Sequence, residues 1–424
     1  MIGRSIMAFG RWLQQPHQML LRVVKRGIGL LIAAQAVVVS TLVVIDARRK
    51  RLRSQGSFPR TRPHAERVAD SEVHVYTYGE DLYAAMLNAV EQAESYVLLE
   101  TFIWKDDTVG QQFKDALIRA AERGVAVYII YDAFANLVVP RRFKRFPPPL
   151  HVLRYPLLHW PFNPFHIRSY ARDHRKLLIV DGETAFVGGY NIGARYATDW
   201  RDTHVRVTGP SAWELENAFV DFWNAYRTRW LPSIPERGAR TWEPRINVHR
   251  NDPQMLMFPI RAMYLEAIDR AQHHIYMTHA YFIPDRVVFR ALLAAAARGV
   301  DVRIVLPEIS NHVVADWLAR GYYDRCLRAG IKLLLYQNAM VHAKTTTIDG
   351  VWSTIGTANL DRLSMVGNFE VNMEFYDHTL AQHMERIFSN DADNTRELSL
   401  AQWQRRPLYE KLAEAILMPL RPLL

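Results

Sequence analysis

HRKLLIVDGETAFVGGYN, residues 174–191, and HAKTTTIDGVWSTIGTAN, residues 342–359, are two versions of one segment. His174/His342, Lys176/Lys344, Asp181/Asp349, Gly182/Gly350, Gly188/Gly356 and Asn191/Asn359 recur at the same offsets. Six matches at fixed spacing within one chain mark an internal duplication. Each copy reads as a β-hairpin, an apolar run turned by Asp-Gly into a second run. On a strand, His and Lys two residues apart point to one face. An imidazole and an ammonium can then converge on a phosphate, and the returning strand brings Asn191 or Asn359 back toward them. Asp181 and Asp349 have the opposite parity and sit at the turn, which suits a structural or supporting role better than a reacting one.

The duplication extends outward. AVEQAESYVLLETFIW at 89–104 matches AIDRAQHHIYMTHAYF at 267–282, and AAERGVAVYIIYD at 120–132 matches AAARGVDVRIVLP at 295–307. Each pair reads as helix, strand, helix, strand, with Gly124 and Gly299 at the helix-ending position. The pattern predicts an α/β protein of two homologous halves with parallel or mixed sheets covered by helices. The expected divisions are a basic anchor and linker at 1–62, a first half at 63–245 and a second at 246–424. The linker character, with Gly56, Pro59 and Pro63, extends over 54–70.

Downstream of each histidine, at the same distance, stands an acid in a β-like context: Asp202 in WRDTHVRV and Glu370 in NFEVNMEF. A carboxylate on Nδ1–H fixes an imidazole's tautomer and frees Nε2. The expectation is that Asp202 orients His174 and Glu370 orients His342. A lone buried histidine is more often structural, and glycines such as Gly188 and Gly189 mostly serve turns and close packing. The paired constellation is what argues for catalysis.

The net charge of +10 is unevenly placed. Residues 1–62 hold 12 Lys/Arg and one acid, Asp46, so the rest of the chain is close to neutral. That disfavours a nucleic-acid partner, which selects a basic face, and puts the charge beside a membrane surface. Residues 27–45 carry no charge, and as a helix they span about 28 Å, one hydrocarbon core. A basic cluster follows where a signal peptide would have its cleavage site, so an uncleaved anchor is expected. Within 20 residues of the run, four Lys/Arg precede it and seven follow, which predicts one span with the bulk of the chain cytoplasmic. Cys326 is the only cysteine, so neither an intramolecular disulfide nor a cysteine-based metal site can form. The stretch 140–170 mixes prolines, basic residues and Trp160, Phe162 and Phe165, and suits a lipid-facing entrance loop. The tail at 403–418 fits an interfacial helix or a core-facing stripe of Leu408, Leu412 and Ile416 equally well.

The doubled HxKxxxxD pattern resembles the phospholipase D superfamily over roughly residues 70–424. Within it the chain looks most like the bacterial cardiolipin synthases, on ETFIW at 100–104, YNIG at 190–193, WRDTHVRVTGP at 200–210, AYFIPD at 280–285 and the tail at 403–424. Those relatives often have two spans where this chain has one. The resemblance implies two α/β/α halves facing across a pseudo-two-fold, with both His-Lys pairs in one cleft. It implies His174, Lys176, Asp181, His342, Lys344 and Asp349 as the catalytic set, with Asn191 and Asn359 on the phosphate oxygens. It also implies ping-pong phosphatidyl transfer between two phosphatidylglycerols in a bacterial inner membrane, releasing glycerol, with His174 as nucleophile. Neither cofactor nor metal is expected, because the lysines supply the charge. A lipid hydrolase or another phosphatidyltransferase would share this chemistry; a nuclease or a non-enzymatic membrane scaffold fits the anchor or the intact motifs less well.

Overall fold

The computed structural model describes residues 2–52, 56–158, 163, 167–239 and 241–423. Trp160, Phe162 and Phe165 lie outside them. Each half is built on a strand buried on both faces, Tyr96–Thr101 in the first and His274–His279 in the second. Strands covered on both faces form the centre of such a sheet. Each is followed in parallel by two more strands: Ala126–Asp132 and Leu150–Tyr155 in the first half, Asp301–Pro307 and Lys332–Tyr336 in the second. On its other side each pairs antiparallel with the first arm of the histidine hairpin, Leu177–Val180 or Lys344–Ile348. The second arms, Thr184–Gly188 and Trp352–Gly356, continue into His204–Thr208 and Glu370–Tyr376. The result is two mixed eight-stranded sheets that share a seven-strand order, each with one further strand at an opposite edge, in the predicted α/β class. Gly124 and Gly299 take φ of 93° and 92° at their helix ends, as read from the sequence.

The central strands of the two sheets pack against each other. One apolar cluster joins Val187, Val205, Val207 and Phe219 of the first half to Ile355, Phe369, Val371 and Phe375 of the second. The shared cluster means that each half buries part of its apolar surface against the other. Two short backbone exchanges also cross the boundary. Trp200–Arg201 pairs in parallel with Met340–Val341, and Asp173 bridges Phe369. Arg201 then reaches Asp391 of the second half with two hydrogen bonds of 2.8 and 2.6 Å, both side chains buried.

The linker ends earlier than its composition suggested. His64–Val68 is an edge strand of the first sheet, and before it Phe58 packs on Tyr78 in a cluster containing Val305, Tyr336 and Phe388. HAERV is too short for its alternation to outweigh the neighbouring prolines in a sequence reading. The 140–170 stretch is likewise no continuous loop: Phe143 is buried beside Trp104, and Leu150–Tyr155 is a sheet strand. At the N-terminus one helix runs Ile2–Leu52, and Arg22–Arg49 is long and apolar enough to cross a membrane. Most of the apolar side chains in Arg22–Arg49 are exposed, but Leu42 is buried against the second half and Gln35 Nε2 donates to the Ile416 carbonyl at 3.0 Å. In the C-terminal helix, Leu408–Leu417, Leu408 and Leu412 face outward while Leu417 is buried. The apolar stripe is therefore presented to the surroundings and not to the core.

Candidate active site

Both histidines lie one residue beyond an inter-half backbone contact. His174 N–H donates to the Phe369 carbonyl at 3.1 Å, and His342 N–H donates to the Arg201 carbonyl at 2.7 Å. The next residue after each carbonyl is an acid. Glu370 therefore meets His174, with Nδ1 3.0 Å from each carboxylate oxygen, and Asp202 meets His342, with Nδ1 2.6 Å from Oδ2. The sequence expectation of Asp202 on His174 and Glu370 on His342 is reversed. The physical cause is the strand exchange: each acid rides on the backbone that pairs with the opposite half's histidine. In both cases the hydrogen bond at Nδ1 leaves Nε2 as the chemically available nitrogen.

Lys176 and Lys344 fold back so that Nζ donates to the carbonyl of His174 and of His342 respectively. Lys344 Nζ also lies 2.9 Å from His342 Nδ1. Nδ1 holds one proton, and the shorter contact to Asp202 takes it, so the lysine is an electrostatic neighbour of the ring rather than its hydrogen-bond donor. Burial pushes the lysines down, to about 7 for Lys176 and about 8 for Lys344. Burial, then the adjacent lysines, also holds both imidazoles neutral: His342 falls to about 3, and His174 moves well below its usual range. The carboxylates diverge. Burial lifts Glu370 to about 8, whereas for Asp202 the charge of Lys344 and the hydrogen bond from His342 outweigh burial and hold it below the usual carboxylate range. Lys344 and Asp202 act on His174, and Lys176 acts on His342, so both His-Lys pairs share one electrostatic cleft. An anionic phosphate entering it would favour the charged forms of all four bases.

Asn191 accepts from Ile103 N–H at 3.1 Å through Oδ1, which leaves its NH₂ without a protein partner among the described residues. The buried Asn359 Oδ1 has no partner either. Both asparagines are thus free to meet a ligand. Asp181 and Asp349 are not. They sit at the hairpin turns with φ of 53° and 54°, followed by Gly182 and Gly350 at 67° and 64°. Asp181 accepts backbone N–H groups of Glu94, Ser95 and Tyr96 at 2.8–2.9 Å, and Asp349 those of Gln272, His273 and His274 at 2.7–2.9 Å. Their place in the expected catalytic set is corrected: an acceptor aimed at three backbone donors fastens the hairpin to the neighbouring strand, and among the described residues neither aspartate has a hydrogen bond to the His174 or His342 ring.

Several residues were invisible to the motif. Thr357 donates its hydroxyl to Glu370, while the matching position, Gly189, leaves room for Asp202: a Cβ there would lie 2.0 Å from its Oδ1. Phe102 meets the His174 ring edge-on at 4.7 Å, and Trp200 and Tyr281 flank His342 at 5.0 and 6.2 Å. The phrases ETFIW and AYFIPD contain two of these rings, but nothing in their spacing assigned them to a site.

Cross-paired His–carboxylate dyads in a duplicated α/β fold define a two-motif phosphohydrolase or phosphotransferase of the phospholipase D type. The family model described as "Cardiolipin synthase, PLD-like domain" matches residues 86–223 and 264–392. The chain is 31% identical over 374 residues to the major cardiolipin synthase ClsA of Bacillus subtilis, covering 85% of this chain and 77% of that protein. It is 32% identical over 371 residues to cardiolipin synthase A of Pseudomonas entomophila, covering 84% and 76%. The fold is shared with phosphatidylserine synthase of Haemophilus influenzae, at a TM-score of 0.65 and 13% identity over 89% of this chain and 96% of that one. The chain belongs to the cardiolipin synthase family of phospholipase D-like enzymes. It is accordingly a membrane-associated cardiolipin synthase or a related phospholipid phosphatidyltransferase.

Proposed function

We propose that the protein makes cardiolipin by transferring the phosphatidyl group of one phosphatidylglycerol to the terminal hydroxyl of another. The observation that carries this reading is the pair of imidazoles, each anchored at Nδ1 by an acidic side chain of the opposite half and each accompanied by a lysine. One ring attacks phosphorus through Nε2; the other, protonated at Nε2 once the anionic phosphate is bound, gives the leaving glycerol oxygen its proton as the P–O bond breaks. The second ring then removes the proton from the acceptor hydroxyl, whose oxygen displaces the histidine and restores both bases. His174 is assigned the attack, by family analogy. His342 is assigned the proton transfers, supported by its short bond to an ionised Asp202, which would stabilise an imidazolium. Lys176, Lys344, Asn191 and Asn359 hold the non-bridging oxygens, where charge must be stabilised as phosphorus becomes five-coordinate.

In the same reading the N-terminal helix crosses the bilayer once. The catalytic body lies on the cytoplasmic side, as the larger basic count after the span favours. The test is product analysis by lipid mass spectrometry after reconstitution into pure phosphatidylglycerol. Cardiolipin and free glycerol are expected, with cardiolipin falling when glycerol is added, because phosphodiester exchange is nearly isoenergetic. Phosphatidic acid as the main product would make the protein a hydrolytic phospholipase D instead.

A further inference from the structure

Beside the catalytic cleft lies a cavity of 690 Å³ that no reacting group occupies. Its wall nearest the site is Trp200, the ring that packs on His342 at 5.0 Å and on Tyr196 at 4.8 Å. Two chain segments lead from the cleft into it. One runs from Phe102, against His174, to Lys105; the other runs from Asn191 through Gly193 to Arg195. They are joined where Lys105 N–H donates to the Ile192 carbonyl at 3.0 Å. Gly193 gives the Lys105 side chain its path, since a Cβ at that position would lie 2.9 Å from Lys105 Cγ.

The charges here are not balanced. Asp107 is occupied by the backbone N–H groups of Gly110 and Ala194 at 3.0 and 2.8 Å. Asp106 accepts from Gln111 at 2.6 Å and faces Arg142 at 3.8 Å. Lys105 and Arg195 have no ion-pair or side-chain hydrogen-bond partner among the described residues, and both line the cavity. Apolar side chains line the same cavity: Val138, which is 82% exposed, Val139 and Pro140. In the segment leading to them Phe134 and Leu137 are 54 and 56% exposed. Cations inside a cavity with an apolar rim match an amphiphile with an anionic head group.

We infer that this cavity binds the phosphate of the acceptor phospholipid, with Lys105 and Arg195 as its positioning residues. The inference rests on the transferase reading above. The transferring phosphate must lie between the two histidines. The acceptor's own phosphate stands only a glycerol's length from the attacking hydroxyl, and that hydroxyl must reach His342. A second anion site on the His342 side, separated from the cleft by one ring, meets this requirement. It also gives the enzyme a means of preferring a lipid-borne alcohol to water or free glycerol, since only the former brings a phosphate to the cations.

The test uses the full-length protein in phosphatidylglycerol vesicles supplied with isotopically labelled glycerol. Cardiolipin reports transfer to an acceptor that carries a phosphate. Label entering phosphatidylglycerol reports transfer to an acceptor that lacks one. Both pass through the same first step, so their ratio does not depend on how much enzyme is active. Lys105→Gln and Arg195→Gln, singly and together, should lower the ratio of cardiolipin to labelled phosphatidylglycerol, by about tenfold in the double variant. Lys105→Arg should restore most of it. A ratio equal to the wild-type value in the single and double variants would overturn the inference. So would a ratio that falls equally in the Lys105→Arg variant, which would mean a packing role. If the unmodified protein exchanges glycerol but forms no cardiolipin, it is the transferase reading that fails, and that outcome is visible without any variant.

Discussion

His342 Nδ1 stands 2.6 Å from Asp202 Oδ2, and the two residues belong to opposite halves of the chain. The counterpart, His174 with Glu370, is crossed in the same way. Neither half therefore contains a complete dyad, and the duplication cannot be read as two independent active sites. His174→Ala and His342→Ala should each abolish turnover with the fold retained, because acid–base and nucleophilic roles fall to different rings.

The crossing itself is testable. Asp202→Asn should reduce kcat by about 10³–10⁴-fold, as loss of a tautomer-fixing carboxylate does elsewhere. In ¹⁵N spectra of histidine-labelled protein, the same change should shift the ring nitrogens of His342 and leave those of His174 nearly in place. A shift at His174 instead would restore the within-half pairing and contradict the geometry.

Asp349 should behave as a fastener. Asp349→Ala removes the acceptor of three backbone N–H groups, which should cost about 1–3 kcal/mol, while kcat in the surviving folded protein stays near wild type. Burial alone would raise this carboxyl, but the three N–H groups outweigh it and hold it below its usual range. A group depressed on folding stabilises above its unfolded pKa and loses that contribution as pH falls through the folded one. The stability difference between wild type and Asp349→Ala should therefore narrow below about pH 4. A large loss of kcat at full folding would return Asp349 to the chemistry.

What the sequence made legible follows from its periodicities. The hairpins, the Asp-Gly turns and the helix-ending glycines all rest on local spacing, and each is where the spacing placed it; His174, Lys176 and His342 instead lie just ahead of the hairpin strands. The partner of each histidine was not legible. Asp202 and Glu370 stand at the same offset in both halves, so the offset is identical for within-half and crossed pairing. Only the two short exchanges decide it, Trp200–Arg201 with Met340–Val341 and Asp173 with Phe369, and one or two residues carry no alternation to detect. The buried Arg201–Asp391 pair that locks this exchange joins positions 190 residues apart, with no local signal at either end.

The lysines predict how anion binding depends on pH. Buried in the empty cleft, Lys176 and Lys344 lose their protons at about 7 and about 8 instead of at the usual 10.5. A bound oxyanion favours the charged ammonium, so binding takes up protons where the empty site has lost them. Tungstate affinity should fall as pH rises from 6.5 to about 9, and calorimetry in buffers of different ionisation enthalpy should register net proton uptake near pH 8. Lys344→Met should weaken binding and shrink that uptake. In the absence of ligand the unfolded chain holds more protons on these lysines than the folded one between about pH 8 and 10, so their contribution makes stability rise with pH there. Affinity independent of pH across this range would show that the lysines are charged in the free protein.

Deletion of residues 1–53 tests the anchor. The catalytic residues all lie beyond that point, so the truncated protein should still turn over a short-chain, soluble phosphatidylglycerol. The deletion removes the span Arg22–Arg49 but also uncovers the groove that held Leu42 and breaks the bond from Gln35 to the Ile416 carbonyl. Close by, on the C-terminal helix, Leu408, Tyr409 and Leu412 are 81, 70 and 63% exposed, an apolar stripe that suits the bilayer interface. Truncation should therefore release only part of the protein in a high-salt wash, and Leu408→Glu with Leu412→Glu in the truncated chain should release the rest. Complete release by truncation alone would show that the tail contributes nothing. Full retention of the doubly altered, truncated chain would move the main attachment elsewhere, with the exposed Phe134, Leu137 and Val138 beside the cationic cavity as the next segment to alter.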